Sequence, residues 1–114
     1  MGERANVVLH YTDPPSAPQV YLYSHWGATT LARDVARALD RGRDRWHDPG
    51  YLARVIFCQM VGPDQQGTTG YAITPYPVDS ELLHVYLNTQ TVQLESWGGG
   101  SPLPYDQFIA NWLT

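Results

Sequence analysis

Between Val20 and Leu39 the hydrophobic pattern changes its period across a single glycine turn, and that change constrains the fold more than any other feature. Val20, Leu22 and Ser24 alternate with Tyr21, Tyr23 and His25, the two-residue period of a strand that turns one face to a core. Just past Gly27, Leu31, Val35, Ala38 and Leu39 recur at helical spacing behind Thr29 or Thr30 as cap. A strand that runs through so short a turn into a helix calls for a layer of each, packed around one core.

The rest of the chain extends this pattern. Ala5 to Tyr11 is rich in β-formers and predicts a first strand, and Asp13 to Pro18 is a proline turn into the second, so the two form a hairpin. The helix that begins at Thr29 or Thr30 ends near Asp40, before Gly42. Asp48-Pro49 is a helix start, because Asp caps and Pro fits the first turn. The second helix carries Leu52, Val55, Ile56 and Met60 to Gly62-Pro63. It is apolar on most sides and is expected to be the central core helix. Tyr71 to Thr74, Leu82 to Leu87 and Thr91 to Ser96 predict three more strands. Gly98 to Gly100 is a break, and Pro104 to Leu113 is a short amphipathic helix. The expected fold is α+β: one domain over residues 1–114, an antiparallel sheet of about five strands, two central helices and a short C-terminal helix.

Charge narrows the classes of partner. The net charge is −4, which argues against duplex nucleic acid, whose binding needs many cationic phosphate contacts. All seven basic side chains are Arg, and six of them (Arg33, Arg37, Arg41, Arg43, Arg45 and Arg54) lie between positions 33 and 54. Against the four Asp in that span they leave a local charge of +2 on an otherwise acidic chain. Such a patch suits a compact anion, although Arg–Asp pairing along solvated helices is the plainer reading. With one Cys, no disulfide can form within the chain, and Cys58 among Ile56, Phe57 and Met60 reads as a packed thiol. Neither a signal pattern nor an apolar run of membrane-spanning length is present, so the expected location is the cytoplasm, with no membrane partner.

Chemistry concentrates at the strand–turn–helix junction. Tyr23, His25 and Trp26 stand beside Gly27 and a helix start, where backbone N–H groups attract anions and rings stack on flat ligands. Arg54, between Leu52 and Val55, reads as a buried cation in need of a carboxylate or an anionic ligand. Thr68, Thr69 and Tyr71 follow Gly67 in a loop that could hold a ligand's second edge, and Arg33 and Arg37 could attract it from a distance. Each of these has a structural reading as well: a core Trp, an Arg paired within the chain, an ordinary β-turn. No GxxxxGK[ST], GxSxG, HExxH or CxxC pattern occurs. Ser24 and His25 point to opposite strand faces and cannot form a dyad. The expectation is therefore no catalytic set, no metal and no cofactor, with His25 or His84 as the base if there is turnover.

Three strings carry a resemblance: Tyr21-Leu-Tyr-Ser-His-Trp-Gly27; Trp46-x-Asp48-Pro49-x-Tyr51-Leu52-Ala53-Arg54-Val55-Ile56-Phe57; and Gly67-x-Thr69-Gly70-Tyr71-x-Ile73. From about Val20 to Leu94 the chain resembles a family of small phage, prophage and actinobacterial proteins. Its members read YSHWGG where this chain has Ala28 in place of the second glycine. The resemblance implies a setting rather than an activity: an accessory protein in a bacterial host cell, of the kind that sequesters a nucleotide signal of immunity. The leading expectation is thus a non-enzymatic binding protein for a small anionic, nucleotide-like or cyclic-nucleotide ligand. The alternatives are a small hydrolase or lyase of such a ligand, or a protein–protein inhibitor that uses Trp97, Trp112 and Tyr105. A homo-oligomer suits each of them, because a short sheet leaves an open edge.

Overall fold

The computed structural model describes residues 4–11, 19–25, 30–63, 66–76, 81–94 and 101–113. In chain order the elements are β1 (Ala5–His10), β2 (Val20–Ser24), α1 (Leu31–Arg41), a 3-10 turn (Arg43–Arg45), α2 (Pro49–Val61), β3 (Tyr71–Thr74), β4 (Glu81–Tyr86), β5 (Thr91–Leu94), β6 (Leu103–Pro104) and α3 (Tyr105–Leu113). The fold is α+β. Its strands form one sheet in the order β3-β2-β1-β4-β5-β6.

Two features of that sheet differ from the expectation of five antiparallel strands. First, β1 and β4 run parallel, with Ala5 opposite Glu81 and His10 opposite Tyr86, while every other pairing is antiparallel. All six residues of β1 are buried, as suits a strand paired on both sides. Second, β6 adds a sixth strand of two residues, paired to Thr91 and Val92. Two residues, one of them proline, carry no alternation that could announce a strand.

One face of the sheet bears the helices. Ala5, Val7 and Leu9 of β1, Leu22 of β2, Leu83 and Val85 of β4 and Val92 of β5 form a single cluster with the buried residues of all three helices. Within it α1 is the most deeply packed, burying Leu31, Ala32, Val35, Ala36, Ala38 and Leu39. By contrast α2 buries only Leu52, Ile56 and Met60. The more apolar helix is therefore not the central one, as its composition had suggested. Small alanines let α1 lie close to both the sheet and its neighbours.

Local chemistry sets the helix ends. The Asp48 side chain accepts a hydrogen bond from the Tyr51 N–H, and Pro49 opens α2. Trp46 holds the link between α1 and α2: its indole N–H donates to the Leu39 carbonyl at 2.8 Å and its ring meets Tyr105 edge-on. Arg43 joins the end of α1 to the start of α3, pairing with Asp40 and with Asp106. The α2 helix stops at Gly62, whose φ of 58° and ψ of −130° belong to glycine alone.

Candidate functional site

The other face of the sheet carries none of the three helices. Along β1 it presents Asn6, Val8 and His10, and along β2 Tyr21 and Tyr23. From β4 come Leu82, His84 and Tyr86, and from β5 Gln93. Asn6, Val8 and His10 are buried on this face even so, and Val8 lies outside the core cluster. In the register Val8 has Tyr21 on one side and His84 on the other, so large rings flank a small side chain.

The side chains on this face form a connected array. His10 Nε2 and His84 Nδ1 are hydrogen-bonded at 2.8 Å across 74 positions of sequence. Gln19, next to His10 in the register, donates from Nε2 to His10 Nδ1 at 2.9 Å. The Tyr21 hydroxyl donates to Gln19 Oε1 at 3.0 Å. Tyr86 stacks on the His10 ring with centroids 4.5 Å apart, and its hydroxyl donates to Gln93 Oε1. Nearer the opposite end of β2, the Tyr23 hydroxyl and His25 Nδ1 are hydrogen-bonded at 3.0 Å. Among the described residues no buried side-chain polar atom lacks a hydrogen-bond partner. Half-buried rings edged by amides and imidazoles make a surface on which a flat, polar molecule can stack and be oriented by hydrogen bonds.

The residues singled out from sequence fall into three places. Tyr23 and His25 lie on the helix-free side at one end of β2. The loop before β3 meets them there, because the His25 N–H donates to the Gly70 carbonyl at 2.8 Å, which brings Thr68 and Thr69 to that end of the sheet. Tyr71 pairs with Ser24, which puts it on the helix side rather than beside Tyr23. Arg33 and Arg37 are exposed on α1 and flank Asp34, in the layer across the sheet from Tyr23. Arg54 is exposed on α2, so the reading of it as a buried cation is corrected, and with it the reason it needed a partner. It sits off the Leu52–Ile56–Met60 stripe that α2 turns to the core. Trp26 and Gly27 lie outside the described residues, as do Trp97 and Gly98 to Gly100. Tyr105 is a core residue and not an exposed one: only 1% of its surface is accessible, and burial pushes its phenol well above the usual range. Trp112 is half-buried against the same core.

Sequence reasoning missed His10, Gln19 and Tyr86 as members of one cluster. The available signal was parity: His10 shares a strand face with Val8, and His84 shares one with Tyr86. What joins the two is the parallel pairing of β1 with β4, which no local pattern encodes. Among the described residues, no group of three or more His, Cys, Asp or Glu is placed to hold a metal ion, and no helix is long and apolar enough to cross a membrane. No protein-family model, curated protein or solved structure matches this chain.

Proposed function

We propose that this chain binds a small anionic, nucleotide-like ligand on the helix-free face of its sheet and holds it without turnover. The observation that supports this reading is the array of Tyr21, Tyr23, His10, His84 and Tyr86 rings with the Gln19 and Gln93 amides on one sheet face. A base would stack on the tyrosines. Its polar edge would meet the amides, and its phosphate the imidazoles. Tyr23, His25, Thr68 and Thr69 form the far end of the same surface, with Trp26 following His25 in sequence. In this proposal Arg33, Arg37 and Arg54 act on approach rather than in contact, by long-range attraction. In the setting that the family resemblance implies, such a protein would sequester a nucleotide signal of bacterial immunity.

The test is a melting-temperature series with cyclic oligonucleotides, cyclic mononucleotides and ADP-ribose derivatives, followed by heat release and chromatography of whatever is bound. A large shift with intact ligand recovered supports storage, and its size bounds the affinity. Tyr86→Ala and Tyr23→Ala should each weaken binding about five- to 150-fold, the loss expected when a stacked base gives up about 1–3 kcal/mol. No shift across the panel would sink the nucleotide reading. The His10–His84 pair favours one second reading, hydrolysis of the same ligand with His84 as base. Recovery of altered ligand, lost in His84→Gln, would establish it.

A further inference from the structure

The bonds around Gln19 share one direction. The Tyr21 hydroxyl donates to Gln19 Oε1, and the amide's Nε2 faces His10 Nδ1. An amide nitrogen only donates, so His10 Nδ1 must accept, and a neutral His10 then carries its proton on Nε2. That Nε2 lies 2.8 Å from His84 Nδ1, which must accept in turn. A neutral His84 therefore also carries its proton on Nε2. Tyr86, stacked on His10 and 6.0 Å from the His84 ring, directs its own hydroxyl to Gln93.

We infer that Gln19 is a positioning residue: it fixes the tautomers of the His10–His84 pair, so that the pair meets other groups through an N–H donor at His84 Nε2. Anything that meets His84 there, whether from the ligand or from the chain itself, must bring an acceptor. Resting on the binding face proposed above, this deepens it. A ligand group that reaches His84 Nε2 must be an acceptor oxygen, phosphoryl or carbonyl, and not a donor. Gln19 does this by ordering protons through His10.

Long-range proton–nitrogen NMR correlations of the full chain at pH 8 read the tautomers directly, with no ligand needed. The expected wild-type pattern has both His10 and His84 protonated at Nε2 and bare at Nδ1. In Gln19→Glu the carboxylate can only accept, so His10 must place a proton on Nδ1, either by moving one or by gaining one. In Gln19→Leu the direction is lost, and His10 should become a mixture of tautomers. Near-UV circular dichroism checks that both variants keep the packed fold. A wild-type His10 protonated at Nδ1, or a Gln19→Glu spectrum identical to wild type, would overturn the positioning role. Titration with AMP separates the second step: it should move the His84 nitrogen resonances. If the tautomers are as stated and AMP leaves His84 unmoved, the acceptor contact at His84 fails while the ordering by Gln19 stands, and the melting-temperature panel alone decides the binding face.

Discussion

Trp46 shows how much one side chain can hold. Its indole N–H caps a carbonyl in the last turn of α1, its ring packs on Tyr105, its own carbonyl accepts from the Gln90 amide, and the Arg43 guanidinium lies 5.1 Å above it. Trp46→Phe keeps most of the apolar contact and removes the donor, so it should cost about 1 kcal/mol in urea unfolding. Asp34 makes a different case. Burial raises its carboxyl above the ordinary value, against the pull of Arg37, the Thr30 hydroxyl and Arg33. An acid that titrates higher folded than unfolded binds its proton more tightly in the fold. Its contribution is then present at low pH and lost as pH rises through the folded value. Asp34→Asn should therefore raise the melting temperature at pH 7, by a small amount because solvent screens a half-exposed group. The gain should vanish near pH 3, below the ordinary carboxyl range. A lower melting temperature at pH 7 would mean that Arg37 and the helix N-terminus outweigh burial.

At the scale of elements, the contact between α1 and α2 passes through Gly42. A Cβ there would stand 3.1 Å from the Ala38 carbonyl oxygen and 3.2 Å from a Leu52 methyl group. Its φ of −98° is open to any residue, so this glycine ends α1 for reasons of space and not of handedness. Gly42→Ala should destabilise by about 1–3 kcal/mol, because the backbone oxygen cannot move aside as a side chain could. Thermal melts of Gly42→Ala beside the wild type decide this, and an unchanged melting temperature would mean the two helices can separate at little cost. Both helix starts, the short edge strand Tyr71–Thr74 and the inward residues of β2 and β4 follow local patterns, and they were legible in the sequence. The apolar helix α2 misled, because its composition gives its average hydrophobicity and not where a neighbour stands. Tyr51 on it is exposed, and Val55, Phe57 and Val61 are only half-buried.

For the molecule as a whole, the sheet separates two chemistries. Six of the seven arginines lie in the helix layer, while His10, His84, Tyr21, Tyr23, Tyr86 and the Gln19 and Gln93 amides lie on the helix-free face. If that face binds the ligand, Arg33, Arg37 and Arg54 act only through their field, which at physiological salt decays over about 8 Å. Replacing all three by Ala should lower affinity less than about threefold, and the effect should disappear near 1 M salt, where that length falls to about 3 Å. Titration calorimetry at two salt concentrations reads this. A tenfold loss that survives high salt would move the site to the helix layer. Only local chemistry speaks directly in the sequence. Alternation told which side of each strand is apolar, caps and prolines told where helices begin, and the clustered Arg and the aromatic count told that charge and rings are unevenly spread. The tertiary structure alone decided that β1 lies parallel to β4, and so that His10 meets His84. It decided as well that the arginines stand across the sheet from Tyr23. The physical reason is that strand pairing between segments 74 residues apart is settled by the packing of the whole core, and no short window of sequence contains it.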